Sequence, residues 1–221
     1  MVDDKIIESI FGWIGLTISS YFYLSPVVPF IKVLKGEMKY LDSPGILLII
    51  SMINCILWTD YGLLVDSLQL YLTCAIGGTT TFIWITIYFT FVGKKQFCLG
   101  LFINILFLAL MIGIMYFFYI INIEITGYCG LIINILMFAS PGEKIITVIK
   151  TGKYELIPIF SSIGSFLCGG SWFIFGLYKE DWKLIIPNGL GMICGALQLV
   201  IYFIYYCKRK SQKPKEEDPI I

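Results

Sequence analysis

Residues 44–64 read PGILLIISMINCILWTDYGLL, and residues 158–178 read PIFSSIGSFLCGGSWFIFGLY. Laid over each other at an offset of 114 residues, Pro44 falls on Pro158, Trp58 on Trp172 and Gly62 on Gly176. Each stretch is a near-continuous apolar run, about the 20 residues a helix needs to cross a bilayer core. The runs do not alternate between apolar and polar residues, so membrane strands are excluded and helices expected. The register extends outward: Gly77 falls on Gly191 and, one residue out of step, Ser25-Pro26 falls on Ser140-Pro141. IKVLKG (31–36) likewise resembles VIKTG (148–152). The duplicated unit is therefore about three helices long.

Five more apolar runs complete the set, giving spans near 6–31, 44–64, 67–93, 96–121, 127–149, 158–178 and 184–207. The fold expected is an all-α integral membrane protein with seven transmembrane helices. Two parallel-repeat triple-helix bundles, residues 1–93 and 126–207, are joined by a linker helix at 94–125, and 208–221 form a disordered cytoplasmic tail. An odd number of spans separates the two copies, so both run in the same sense. Their pseudo-two-fold axis then lies along the membrane normal, the arrangement of carriers that rock two like halves about a central cavity. Composition agrees. Of 221 residues, 58% are hydrophobic and 14% charged, with a mean hydropathy of +0.86, against about 25% charged in an average soluble domain. A soluble enzyme, a disordered chain and, at net charge +1, a nucleic-acid partner are excluded. There is no histidine, which removes imidazole-based zinc sites and nucleophile–histidine pairs. The seven cysteines lack metal-ligand spacing and read as small hydrophobes. No metal and no cofactor is expected.

Counting lysine and arginine orients the chain. Thirteen fall on the side of Lys32, Lys94, Lys144 and the Lys208–Lys215 tail, and three (Lys5, Lys179 and Lys183) on the other. Basic residues mark the cytoplasmic face, which puts the N-terminus outside and the C-terminus inside. The acidic start MVDDKIIES does not suit a cleaved signal peptide, so the first run is expected to be retained. The tail's basic cluster reads as a flank that touches anionic headgroups, and EEDPII weakly resembles an acidic sorting signal. A multi-pass protein of the plasma membrane is the expectation, with an internal membrane and a homo-oligomer left open.

Polar residues inside spans are informative because an unpartnered polar group in hydrocarbon costs several kcal/mol. Asn188 begins span 7 and its repeat mate is Cys74. An amide suits a sugar hydroxyl, since both donate and accept; a bond to a neighbouring helix is the other reading. Trp58 and Trp172 would stack on a sugar ring or else sit in an interfacial belt. Asn54 and Cys168 lie one turn before them, on the same faces. Pro26, Pro44, Pro141 and Pro158 share one depth and would act as hinges or, at 44 and 158, as plain helix starts. Asp60, Asp66, Glu124, Glu180 and Asp181 fall at or near the outer surface and Glu143 near the inner one. With no acid near midplane, uncoupled facilitated diffusion is expected.

The stretches YLSPVVPFIKVLKG, NCILWTDYGLL, LMFASPGEKIITVIKTGKYELIPIF, SWFIFGLYKEDW and IIPNGLGMICGALQLVIYFIY resemble the SWEET family of sugar transporters from about residue 12 to 207. The resemblance implies bidirectional, proton-independent passage of mono- or disaccharides. It implies Asn188 and Trp172 as sugar contacts with Asn54, Trp58, Cys74 and Cys168 around them. Tyr61 and Asp181 would form an outer gate and the four prolines the inner hinge region. Three departures mark a divergent member. Cys74 stands where the family carries asparagine, Gly45 follows Pro44 in place of an aromatic residue, and Gly142 follows Ser140-Pro141 where leucine is expected. A PQ-loop-type proton-coupled carrier of amino acids would show Pro-Gln in place of Ser-Pro. A seven-helix receptor would bring longer loops and an NPxxY-like end to span 7.

Overall fold

The computed structural model describes residues 2–37, 45–88, 97–137 and 139–212, so Pro44 and the end of the tail lie outside the described residues. Among the described residues there is no strand, and short turns separate the helices. The helices are α1 (Val2–Leu24), α2 (Val27–Leu34), α3 (Gly45–Leu64), α4 (Leu68–Ile87), α5 (Phe97–Ile121), α6 (Ile123–Met137), α7 (Ala139–Thr151), α8 (Ile159–Tyr178) and α9 (Trp182–Gln212). Every expected apolar run coincides with one or two of them. Leu47–Leu64, Leu68–Ile87, Ile123–Thr151, Ile159–Tyr178 and Trp182–Lys210 are long and apolar enough to cross a membrane.

Two boundaries differ from the sequence expectation. The run 6–31 is not one helix: it turns at Ser25-Pro26, where proline cannot donate to the ladder. The Phe22 carbonyl, which Pro26 cannot serve, takes the Ser25 N–H (3.0 Å), and the next carbonyl, of Tyr23, takes the Trp84 indole N–H (2.8 Å). At the other end, α9 continues to Gln212, so Lys208–Gln212 are helix rather than disordered tail. Lys208, Arg209 and Lys210 suit the negative end of a helix dipole, and Arg209 pairs with Glu155.

The offset of 114 residues reappears in the backbone. α3 ends with Val65 N–H on the Tyr61 carbonyl, Asp66 on Leu63 and Ser67 on Gly62, with Asp66 at φ +50°. α8 ends with Lys179 on Phe175, Glu180 on Leu177 and Asp181 on Gly176, with Glu180 at φ +55°. Both are left-handed helix caps that satisfy the last carbonyls. Immediately beyond, Gly62 lies against Tyr71 and Gly176 against Leu184 and Ile185, so close that an added Cβ would come within 2.7 and 3.0 Å of them. The two tight pairs α3–α4 and α8–α9 are thus built alike.

The bundles meet along two matching seams, α1 on α8 and α3 on α6. In the first, a Cβ on Gly15 would meet Trp172 at 2.8 Å, and one on Gly12 would meet Gln69 and Phe175 at 3.0 Å. In the second, Gly130 faces Trp58 (3.1 Å) and Gly127 faces Lys183 (2.4 Å) and Tyr61 (2.8 Å). Each group in one seam is the repeat mate of its counterpart in the other. Helices gain no hydrophobic drive from one another in lipid, so close approach at glycine is what holds them. α5 stays outside these seams, packing on α3, α6 and α4.

Candidate substrate cavity

Between the bundles lie two communicating chambers. The central one, about 180 Å³, is walled by Ser19, Asn54, Trp58, Thr73, Cys74, Asn134, Cys168, Trp172 and Asn188 among others. The larger, about 470 Å³, shares Tyr23, Ser51, Asn134, Cys168 and Asn188 with it and extends to Pro26, Pro141 and Pro158. Lys144, Pro158 and Ser161 on its rim are exposed, so it opens at the proline end.

The opposite end is shut. Trp58, Tyr61, Leu70, Cys74, Trp172, Phe175 and Leu184 pack into one buried cluster above the central chamber. Leu70 and Leu184 are repeat mates and close it from both bundles. The Tyr61 hydroxyl of α3 donates to Asp181 Oδ2 (2.7 Å), while Asp181 Oδ1 accepts the Lys183 backbone N–H (3.0 Å). Tyr61 and Asp181, expected together as a gate, are in contact.

The six expected binding residues all line the central chamber. Trp58 and Trp172 are buried inside the protein rather than displayed as an interfacial belt. Asn188 Nδ2 donates to the Leu184 carbonyl one turn back in its own helix (2.8 Å), not to a neighbouring helix. The two halves of the chamber differ in how their polar atoms are satisfied. On one side the Trp172 indole N–H donates to Ser19 Oγ (3.1 Å), which lies 3.2 Å from Cys168 Sγ. The repeat mates of that trio are Trp58, Asn134 and Asn54. There Trp58 Nε1 and Asn54 Oδ1 are buried without a protein partner. Buried polar groups are normally hydrogen-bonded, so this half of the chamber wall holds two polar atoms whose hydrogen-bonding capacity the protein leaves unused.

Sequence reading missed Ser19 and Asn134, although both are polar residues inside apolar runs, because neither lies one turn from a tryptophan as Asn54 does. The offset does point to them, since 19 and 134 are related by the same 115-residue step as Ser25-Pro26 and Ser140-Pro141. It also missed Gln198, whose Nε2 donates to the Pro141 carbonyl (3.3 Å) and whose Oε1 accepts from Ser162 Oγ (2.8 Å). Gln198 is the repeat mate of Trp84, so each bundle ties a hinge carbonyl with a side chain from its third helix. Pro26 precedes α2, Pro141 lies in the first turn of α7 and Pro158 precedes α8; all three stand at helix starts. Asp60 corrects an expectation. It is at the gate end but 1% exposed inside the protein, with Oδ2 unpartnered.

The family described as "Sugar efflux transporter for intercellular exchange" matches residues 9–96 and 124–211, one copy per bundle. The chain belongs to this MtN3/SWEET family. It is 33% identical to bidirectional sugar transporter SWEET1 of Arabidopsis thaliana over 217 residues, covering 95% of this chain and 87% of the relative. SWEET5 of the same plant is 30% identical, with 99% and 94% covered. SWEET1a of Sorghum bicolor is 34% identical, with 96% and 80% covered. The 3.7 Å structure of a eukaryotic SWEET transporter superposes with a TM-score of 0.80 at 26% identity, over 94% of this chain and all of that one. As a SWEET-family member the chain is a multi-pass membrane protein, a transporter rather than an enzyme, built of two triple-helix repeats.

Proposed function

We propose that the protein carries a sugar passively and in both directions, by rocking its two bundles about the central chamber. The observation that carries this reading is the chamber itself. Both bundles wall it, one end is closed by Tyr61–Asp181, the other is open, and unpartnered polar atoms lie beside indole faces. Indole stacks on the C–H face of a sugar ring while its N–H reaches a hydroxyl, and Asn54 Oδ1 accepts from another. Asn188, Trp172, Trp58, Asn54, Cys74 and Cys168 contact the sugar in this reading. Tyr61 and Asp181 gate the outer side, and Pro26, Pro44, Pro141 and Pro158 provide the inner bends. The basic-residue asymmetry puts the proline end at the cytoplasm and the N-terminus outside, and the plasma membrane is the membrane assigned.

The test is counterflow of labelled glucose and sucrose in proteoliposomes, at symmetric pH and with a proton gradient. Uptake of one or both sugars, indifferent to the gradient and lost in Asn188→Ala and Trp172→Ala, is the expected result. Uptake driven by an inward proton gradient refutes the uncoupled mechanism, and folded protein that moves neither sugar refutes the substrate class.

A further inference from the structure

One cation at the closed end lies where elementary physics disfavours it. Lys183 is in the first turn of α9, at the positive end of the helix dipole, and its side chain is only 7% exposed. A buried charge persists only if paired. Its partner is Glu124 in the first turn of α6, with Nζ 2.9 Å from Oε2 and 3.1 Å from Oε1. Glu124 is itself well placed, since its N–H is capped by Asn122 Oδ1 (2.7 Å) and its charge suits a helix N-terminus. Around the ammonium stand three rings, Tyr61, Tyr128 and Trp182, with centroids 5.6, 5.6 and 5.4 Å away, within the roughly 6 Å reach of a cation–π contact.

The socket is shared with the gate. A Cβ on Gly127 would come 2.4 Å from Lys183 Cδ and 2.8 Å from Tyr61 Cε2, so the same glycine makes room for both arms. The matching corner of the other seam supplies a control. There the mates of Lys183 and Glu124 are Gln69 and Ser9, a neutral pair at 3.5 Å, and the mate of Tyr61 is Phe175, which has no hydroxyl to hold. That corner has its own ion pair, Lys179–Glu8 (3.3 Å), but at positions other than the mates of Lys183 and Glu124, so a cation is set against the ring at the Tyr61 position only where that ring carries the gate hydroxyl.

We propose that Lys183 is a positioning residue for the outer gate. Its ammonium, neutralised by Glu124, holds the Tyr61 ring in the Gly127 socket and so keeps the Tyr61 hydroxyl on Asp181. Glu124, Tyr128 and Trp182 belong to the second bundle and move with Lys183, whereas Tyr61 belongs to the first. Opening therefore parts the cation from Tyr61 and leaves its other partners in place. The proposal rests on the reading above that this end opens during transport.

The experiment measures half-saturation for glucose from each face of the full-length carrier, as zero-trans influx and efflux. In Lys183→Met the closed end opens more readily, so half-saturation falls at the outer face and rises at the inner one. The ratio of the two shifts by about tenfold, equivalent to about 1.4 kcal/mol. Lys183→Arg, which keeps the cation, retains the original ratio. In a Tyr61→Leu background Lys183→Met adds no further shift, because the interaction is already gone. Should Lys183→Met fail to fold, Lys183→Gln serves: it keeps a long polar side chain without the cation and shifts the ratio the same way. An unchanged ratio in Lys183→Met, or a shift that persists in full with Leu at position 61, overturns the proposal. Absence of sugar counterflow in the unaltered protein rejects the transport reading instead.

Discussion

Replacing Gly15 with alanine tests the seam where the chamber wall and the bundle interface coincide. A Cβ at this position would lie 2.8 Å from Trp172 Cε2, 2.9 Å from Nε1 and 3.2 Å from Cδ2. Ordinary carbon contacts begin near 3.5 Å, so the indole would have to retreat by about 0.7 Å. It has little freedom to do so. Its N–H is bonded to Ser19 at 3.1 Å, its face meets the Phe175 ring edge-on at a centroid distance of 5.2 Å, and it is buried. Overpacking of this kind costs about 1–3 kcal/mol, and a strained or lost Ser19 bond adds about 1 kcal/mol. Against this, alanine recovers up to about 1 kcal/mol of helix propensity over glycine. The net expectation is a loss of about 1–3 kcal/mol, or roughly 5 °C in the unfolding midpoint for a chain of this size, together with weaker sugar binding because Trp172 has moved. Gly130→Ala, the mate, is milder: its Cβ would be 3.1 Å from a Trp58 indole whose N–H has no partner to lose. Gly113→Ala in α5 meets nothing within 4 Å and shows the propensity gain alone. Midpoints from fluorescence-detected size exclusion should therefore rank Gly113→Ala above Gly130→Ala above Gly15→Ala. A Gly15→Ala protein as stable as Gly113→Ala, with sugar affinity intact, would refute the socket argument.

Tyr61→Phe keeps the ring and removes a hydroxyl that donates to a carboxylate, an interaction of about 1.5–3 kcal/mol. The closed end should open at least tenfold more often, read as faster labelling of Cys74 and Cys168 by a membrane-impermeant thiol reagent added on that side; an unchanged rate excludes this bond as the latch. Glu180 sits at φ +55°, a conformation that costs a residue with a Cβ about 1–2 kcal/mol, so Glu180→Gly should raise stability by up to about 1 kcal/mol after the extra entropy of unfolded glycine. Asp66→Gly should gain less, since aspartate tolerates that region better; midpoints that fall in both proteins count against the shared cap.

The repeat was legible because Pro44 and Pro158, Trp58 and Trp172, and Gly62 and Gly176 are rare residue types whose positions a hydrophobic background does not set. What their side chains touch was not, because the seams pair the first helix of one bundle with the second helix of the other. No local pattern around Gly15 names Trp172, and none around Gly127 names Tyr61. Ser25-Pro26 announced a bend but not that Trp84 would take up the Tyr23 carbonyl beside it. Lys183 looked like a surface charge at a span end, since a sequence shows depth along the membrane normal more readily than depth within the protein. Asp60 misled for the same reason.

α5 faces outward over most of its length. Among its described side chains only Met111 is buried, with Ile114 and Phe118 half-buried. Its surroundings are acyl chains rather than fixed neighbours, so almost any apolar residue serves there as well as another. The two stretches that carry the family signature stop at residue 96 and resume at 124, which omits this helix and little else. Its place in the fold asks for a span of sufficient length and greasiness and little of the order of its letters. The connection between the bundles is therefore the part of the chain that exchange of one apolar residue for another should disturb least, and the duplication is written on either side of it.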